Sequence, residues 1–246
     1  MIRFIHRVRA AFGMVRLPEM ALAGGHCPLC DGRRLFLRLR RDEIAVRCLG
    51  CGASPITLSM VDVLRSLPLE RLSVYELSAR GPLCEFLAQC SGQLTTSEYL
   101  DGAYPGEQRD GIRHEDVQAL SFPDQSFDLC TSTEVFEHVP DDRRAMGEIL
   151  RVLKPGGHFV FTVPLTQNPG TLERARLKDD GTIEYLETPE YHIDPARRGS
   201  AILTFRTYGV DIVDRLREAG FDQAEIRRPR ALPWAYQRPV VVARRR

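Results

Sequence analysis

Residues 116–164 have the sequence DVQALSFPDQSFDLCTSTEVFEHVPDDRRAMGEILRVLKPGGHFVFTVP. The apolar run SFDLCTS at 126–132 predicts a buried strand, and DDRRAMGEILRVL at 141–153 has the apolar spacing of an amphipathic helix. A Pro-Gly-Gly sequence ends that helix, and HFVFTVP at 158–164 predicts another strand. A strand, a helix and a strand in this order indicate a parallel sheet, because a crossover helix returns the chain in the same direction.

The same alternation extends to both sides of this stretch. Upstream, the sequence predicts strands at 72–77, 93–100 and 111–117 and a helix at 82–90. Downstream, it predicts a helix over 207–221 and a closing strand over 237–245. Segments 101–111 and 118–126 are too rich in glycine, proline and aspartate to be helices. We therefore expect an α/β fold whose ligand crevice lies beyond the carboxyl ends of the strands.

Three short patterns within residues 116–164 resemble one enzyme family. They are Asp-x-x-x-Leu-x-Phe-x-Asp-x-Ser-Phe-Asp-Leu from Asp116, Glu-His-Val from Glu137, and Arg-Val-Leu-Lys-Pro-Gly-Gly from Arg151. Together they resemble the core of the class I S-adenosylmethionine-dependent methyltransferases of the small-molecule type, over residues 72–243. The resemblance implies a Rossmann-like, mostly parallel seven-stranded sheet with an antiparallel closing strand.

The resemblance also implies which residues bind S-adenosylmethionine. Glu76 and the turn after it would surround the methionine part, and Glu98 would accept hydrogen bonds from both ribose hydroxyls. Asp116 would accept a hydrogen bond from the adenine amine, and the segment from Thr131 to Glu134 would pass under the sulfonium. The expected cofactor-binding residues are Glu76, Ser78, Ala79, Arg80, Gly81, Glu98, Tyr99, Asp116, Val117, Thr131, Ser132 and Thr133.

The turn after Glu76 departs from the pattern of the family it resembles. The family has acid-x-Gly-x-Gly-x-Gly, whereas this chain has Glu-Leu-Ser-Ala-Arg-Gly-Pro. Ser78 is small and Gly81 turns freely, so the turn keeps space for a cofactor. Arg80 has two interpretations: its guanidinium pairs with the carboxylate of the cofactor, or it fills the pocket and excludes the cofactor. We favour the pairing.

Three residues are candidates for catalysis, namely His138, His192 and Glu134. Methyl transfer needs a base only where the acceptor carries a proton that must leave. His192 stands in PEYHIDP, within an insertion at 165–203 that matches no general motif and has the length of a lid over the crevice. The alternatives are that His192 is a bystander in a polar loop and that His138 serves the start of the following helix.

Four of the seven cysteines form two Cys-x-x-Cys pairs, Cys27 with Cys30 and Cys48 with Cys51, seventeen residues apart. Two such pairs supply the four thiolates of a tetrahedral zinc site, and the residues between the pairs fit two short strands. The sequence therefore predicts a structural Zn2+ in a small ribbon over 21–60. A redox dithiol is the alternative, although one Cys-x-x-Cys pair would suffice for it.

Composition sets limits on the remaining organisation. The 246 residues are 43% hydrophobic with a formal net charge of +1, which argues neither for nor against nucleic acid. Residues 1–20 predict a basic amphipathic helix that either packs on its own protein or makes peripheral membrane contact. Residues 70–246 form the predicted methyltransferase domain. Because no run of about 18 apolar residues occurs, we expect a cytoplasmic protein.

The sequence leaves four functions open. The leading interpretation is methyl transfer to an oxygen, nitrogen or carbon nucleophile of a small molecule. The second is RNA methylation, with the zinc ribbon and its arginines contacting phosphates. The third is a module that binds S-adenosylmethionine without catalysis. The fourth is a membrane-surface enzyme that reaches lipid-linked substrates through its basic N-terminus.

Overall fold

A computed structural model describes residues 17–194 and 200–246, which divide into two compact units. The first unit contains the chain up to Ser66 together with Arg228–Arg238, and the second contains Leu67–Arg227 together with Pro239–Arg246. Residues 1–16 of the predicted N-terminal helix lie outside the described residues. In the described ranges, none of the helices is both long enough and apolar enough to cross a membrane.

The first unit is a small antiparallel sheet with one helix. Its strands pair in the order β1-β2-β3, and its core contains Phe36, Val46, Leu58 and Leu232. The helix begins after Ser54, whose hydroxyl accepts from the backbone N–H of Thr57 as an N-cap. The elements are β1 (Ala21–Cys27), β2 (Gly32–Arg38), β3 (Val46–Cys48) and α1 (Pro55–Leu64).

The second unit contains a six-stranded sheet in the order β16-β17-β9-β8-β4-β5. The strands are β4 (Ser73–Glu76), β5 (Gln93–Thr96), β6 (Gln108–Arg109), β7 (Ile112–Arg113), β8 (Phe127–Thr133), β9 (Leu153–Thr162), β10 (Leu172–Glu173), β11 (Ala175–Leu177), β12 (Ile183–Tyr185), β13 (Tyr191–Asp194), β14 (Ser200–Leu203), β15 (Arg206–Thr207), β16 (Gln223–Arg227) and β17 (Val240–Arg244). The helices are α2 (Pro82–Cys90), α3 (Asp142–Val152) and α4 (Ile212–Glu218).

The topology confirms the predicted Rossmann-like, mostly parallel sheet. Strands β9, β8, β4 and β5 are parallel neighbours, and the closing strand β17 is antiparallel to β9. Their carboxyl ends therefore share one edge of the sheet, where ligands bind in such folds. The predicted lid region 165–203 contains short antiparallel strand pairs that lie outside this sheet.

The expected count of seven strands is wrong, because the predicted third strand at 111–117 does not join the sheet. Only a single bridge, between Glu98 and His114, connects this segment to the chain after β5. Asp110 and Gly111 both have positive φ and turn β6 back onto β7 as a small hairpin. The backbone N–H of Leu100 donates to Nδ1 of His114 at 2.8 Å. The ring of His114 thus accepts a hydrogen bond that the backbone carbonyl of a neighbouring strand would otherwise accept.

The main core lies between the sheet and helices α3 and α4. Helix α3 buries Ala145, Met146, Ile149 and Val152, which recur at helical spacing along one face. They belong to the same buried cluster as the stacked rings of Phe159 and Phe161 in β9, whose centroids are 4.2 Å apart. This packing fixes the orientation of β8 and β9, which carry the candidate site.

We expect two glycine substitutions near α3 to change stability in opposite directions. A Cβ at Gly157 would lie 2.9 Å from the carbonyl oxygen of Lys154 and 3.1 Å from that of Asp128, so Gly157→Ala should destabilise the protein by about 1–3 kcal/mol. A Cβ at Gly147, inside α3, meets nothing within 4 Å. Gly147→Ala should therefore stabilise by about 0.5–1 kcal/mol. Urea unfolding followed by circular dichroism measures both, and shifts of the same sign would contradict this packing.

Candidate active site

The carboxyl end of β4 carries a deeply buried acid. Glu76 is 1% exposed, and its carboxylate accepts a hydrogen bond from the hydroxyl of Thr131 at the end of neighbouring β8. Burial raises the pKa of Glu76 to about 8. The hydrogen bond from Thr131 offsets only part of this rise, and the negative charge of Glu98 adds to the rise. Glu76 is thus poised to exchange a proton near neutral pH.

The glycine-poor turn after Glu76 is held by the acid that follows β5. The Oε1 atom of Glu98 accepts from the backbone N–H of Ala79 at 3.0 Å and from the hydroxyl of Ser78 at 3.2 Å. Gly81 has a φ of 101° and leads directly into α2, so this turn uses glycine where a side chain would be strained. Arg80 is exposed. The role of Arg80 toward the cofactor stays a prediction.

The predicted adenine contacts lie after the bridge between Glu98 and His114. Asp116 is partly exposed and accepts from the backbone N–H of Gln118 at 2.9 Å, whereas Val117 is nearly buried. Tyr99 is half exposed, with its ring 5.3 Å from that of His114. The bridge brings these residues to the same edge as Glu98, although 111–117 is not a strand of the sheet.

The ends of β8 and β9 carry buried hydroxyls. The side-chain oxygens of Ser132, Thr133 and Thr162 have no hydrogen-bond partner within residues 17–194 and 200–246. Buried hydroxyls are almost always satisfied in proteins, so these oxygens are exceptions to the usual pattern. Together with the carboxylates of Glu76 and Glu98, they place several polar groups near the carboxyl ends of the parallel strands.

Backbone strain marks the residue that follows β8. Glu134 has a φ of 53°, which is unusual for a residue with a side chain, and its N–H donates to the carbonyl of Thr162 at 3.0 Å. Strained residues of this kind cluster at functional sites, where the surrounding structure holds them. Glu134 thus stays at the carboxyl edge of the sheet, between the hydroxyls of β8 and the turn that follows.

The two histidines proposed from the sequence lie side by side. The rings of His138 and His192 are nearly perpendicular, with centroids 4.9 Å apart. Between them lies Glu137, which is 1% exposed and has its Oε1 atom 3.7 Å from a nitrogen of each ring. Sequence reasoning missed Glu137. Its only sequence signal was its place beside His138 in the Glu-His-Val pattern.

A buried arginine fixes the turn that carries Glu137 and His138. Arg206 in β15 is 3% exposed and donates to the backbone carbonyls of Phe136, Val139 and Pro140. The backbone N–H of Phe205 also donates to the carbonyl of Glu137 at 2.8 Å. The residues just after the insertion therefore position the acidic and imidazole groups at the end of β8.

The four paired cysteines converge in the first unit. The Sγ atoms of Cys27 and Cys51 are 3.8 Å apart, and those of Cys30 and Cys48 are 3.9 Å apart. Four sulfurs bound to one zinc ion at about 2.3 Å are separated by about 3.8 Å, so the donor set and its spacing fit tetrahedral zinc.

Comparison with known proteins finds a methyltransferase domain within the second unit. A family model described as a methyltransferase domain matches residues 79–161. A "Probable S-adenosylmethionine-dependent methyltransferase" of Mycolicibacterium smegmatis is 28% identical over 151 residues, covering 58% of this chain and 56% of that protein. The 24-methylenesterol C-methyltransferase 2 of Arabidopsis thaliana is 32% identical over 118 residues, covering 47% of this chain and 29% of that protein. The chain thus spans about half, or less, of the length of these curated relatives.

A solved structure from Listeria monocytogenes, described as a "putative S-adenosylmethionine dependent methyltransferase", superposes with a TM-score of 0.53 at 13% identity. The match covers 77% of this chain and 98% of that chain. The fold of the second unit is therefore that of the S-adenosylmethionine-dependent methyltransferases, and residues 79–161 match a methyltransferase domain.

Proposed function

We propose that this protein transfers a methyl group from S-adenosylmethionine to an oxygen, nitrogen or carbon nucleophile of a small molecule. The observation that carries the proposal is the meeting of Glu76, Glu98 and the buried hydroxyls of β8 at one edge of a parallel sheet. No single loop motif could assemble this set, because its members come from three different strand ends. The matched methyltransferase domain supports the same conclusion.

Each group at this edge has a role toward the cofactor in the proposal. Glu98 supplies two oxygens for the ribose hydroxyls, and Asp116 and Val117 contact the adenine. Glu76 lies nearest the methionine part, where an ammonium would favour its ionised form. The exposed guanidinium of Arg80 is able to turn toward the carboxylate of the cofactor, as the sequence suggested.

The chemical demand on the protein is mostly alignment. The sulfonium of the bound cofactor supplies an already activated methyl group, so the residues around it have to orient the acceptor in line and exclude water. His138 lies in the turn after β8, and His192 lies in the insertion. Their rings are adjacent, and in this proposal they define the acceptor end of the site. Glu134 directly follows β8 and precedes the turn that carries His138.

Three arginines of the first unit give the RNA alternative little support, whereas Arg33, Arg34 and Arg41 are exposed. The guanidinium of Arg38 lies 4.9 Å over the ring of Trp234, and that of Arg40 pairs with Asp42 at 2.9 Å. Arg47 donates to the backbone carbonyls of Ile44 and Val46. These cations have partners within their own unit, so they are poorly suited to a phosphate-binding face. The membrane alternative concerns residues outside those described.

We further propose that the four cysteines bind one structural zinc ion. Because the four protein ligands would fill a tetrahedral site, no position is left for a substrate. The ion would hold together a unit whose core is small, as metals do in other small domains. This proposal concerns the folding of the first unit and not the chemistry of methyl transfer.

Replacement of Glu98 should weaken cofactor binding. Glu98→Gln keeps the size of the side chain but removes the charge that accepts from the ribose hydroxyls, so we expect a loss of about 10- to 100-fold in affinity. Isothermal titration with S-adenosylhomocysteine measures it. Glu85→Gln, an exposed glutamate in α2, is the matched control and should bind as the wild type does. Equal affinities in the two variants would exclude this role for Glu98.

Cofactor binding at pH 7 should release a proton from Glu76. The pKa of about 8 leaves this carboxyl mostly protonated at pH 7, and the ammonium of bound S-adenosylmethionine favours its ionised form. Below the folded pKa, affinity should therefore rise with pH, by at most about tenfold per unit. Titration calorimetry at pH 7 in buffers of different ionisation enthalpy counts the protons released. Glu76→Gln should release none, and the same count in this variant would refute the assignment.

Loss of one cysteine should unfold the first unit alone. We expect Cys48→Ser to bind one zinc ion fewer per chain and to change the fluorescence of Trp234, the single tryptophan, which packs against the core of that unit. Metal analysis and fluorescence provide the two measurements. Cys90→Ser in α2 is the control and should leave both unchanged. Full zinc content in Cys48→Ser would contradict the four-cysteine site.

A further inference from the structure

We propose that Glu137, His138 and His192 form a second metal site, which binds a divalent transition-metal ion. Each residue offers one ligand atom, and the three atoms lie within 4.8 Å of one another. The cluster belongs to the second unit and shares no ligand with the four cysteines. Two imidazoles and a carboxylate suit zinc, iron, cobalt or manganese.

The spacing of the three groups distinguishes a metal site from a proton relay. Oε1 of Glu137 is 3.7 Å from Nε2 of His138 and 3.7 Å from Nδ1 of His192. These distances exceed the 2.7–3.2 Å typical of a hydrogen bond, so the acid and the rings do not form a hydrogen-bonded chain. Two ligand atoms that each lie about 2.1 Å from one ion are separated by about 3.0–3.4 Å. Binding of an ion would require the three atoms, which all lie within 4.8 Å of one another, to move closer together.

The second nitrogen of each histidine has an oxygen neighbour of the kind that orients metal ligands. Nδ1 of His138 lies 2.8 Å from the backbone carbonyl oxygen of Leu203, so Nδ1 carries the hydrogen and the lone pair of Nε2 faces Glu137. Nε2 of His192 lies 3.4 Å from Oε1 of Glu190, and its Nδ1 faces Glu137. Metal-binding histidines almost always show this pairing with a carbonyl or a carboxylate.

The site is also held firmly on both sides. Glu137 is buried, and only 14% of the His138 side chain and 34% of the His192 side chain are exposed. Arg206 fixes the turn that carries the first two ligands, and Arg174 pairs with Glu190 at 2.9 Å. The ligands are therefore preorganised, which reduces the entropy cost of binding an ion.

Three protein ligands leave coordination positions for another molecule. This consequence, unlike the metal site itself, rests on the proposed function: an acceptor with a hydroxyl group would bind the ion through its oxygen. The positive charge lowers the pKa of that hydroxyl, so its O–H bond breaks and the proton leaves to solvent. The oxygen then bonds to the methyl carbon, and the carbon–sulfur bond breaks with its electron pair remaining on sulfur. The inferred acceptor class is thus an alcohol or a phenol.

Cobalt is a suitable probe because its absorption spectrum reports its ligands. The full-length protein is stripped of metal, given one equivalent of Zn2+, which the thiolates bind preferentially, and then titrated with Co2+. We expect one Co2+ per chain with weak visible bands and without the intense near-ultraviolet band of a thiolate ligand. His138→Ala and His192→Ala should abolish this uptake, and Glu190→Gln should weaken it by about 10- to 100-fold.

His158→Ala, a half-buried histidine in β9, is the matched control and should bind Co2+ as the wild type does. Glu137→Gln tests the buried ligand with a side chain of the same shape, and thermal melting establishes that each variant is folded. Absence of Co2+ uptake beyond the cysteine site, or undiminished uptake in both folded histidine variants, would overturn the proposal. Binding of S-adenosylhomocysteine is measured on the same samples: binding without Co2+ uptake rejects the metal site alone, and Co2+ uptake without binding rejects the proposed function alone.

Discussion

The parallel register between β4 and β8 is the constraint on which the candidate site depends. It sets Glu76 opposite Thr131, so that a carboxyl and a hydroxyl meet where both strands end. Because the carboxyl is buried there, its pKa is raised to about 8. Every other group at this edge takes its position from these two strands, through β5 on one side and β9 on the other.

Much of this arrangement could be predicted because strand and helix periods are local properties. The stretch 116–164 has both periods, and the helix and strands it predicts occur in the structure. The absence of the predicted third strand, 111–117, from the sheet could not be foreseen in this way. It depends on the ring of His114 accepting a hydrogen bond from the backbone N–H of Leu100. The candidate histidines were found by residue type. Their meeting with Glu137 depends on tertiary contacts of Arg206, which no local pattern reveals.

Within residues 17–194 and 200–246, two clusters of side chains could hold a metal ion, and their chemistry differs. Four soft thiolates in the first unit make a closed set, whose proposed ion would act only on folding. Two imidazoles and a carboxylate in the second unit make an incomplete set, whose proposed ion would retain positions for a reactant. The same metal could occupy both clusters. The number of protein ligands alone then distinguishes a structural role from a chemical one.

The hydrogen bonds from Arg206 to the turn after β8 bear on how the two sides of such a site could evolve. In the proposed site, residues before position 134 would supply the groups that face the nucleoside. The acceptor side would depend on the hairpins within 165–203 and on Arg206, which holds the turn after β8. Exchange of that one segment between homologous genes would reshape the acceptor wall and leave the nucleoside wall intact. Selectivity and cofactor retention can thus evolve as separate traits within a single domain.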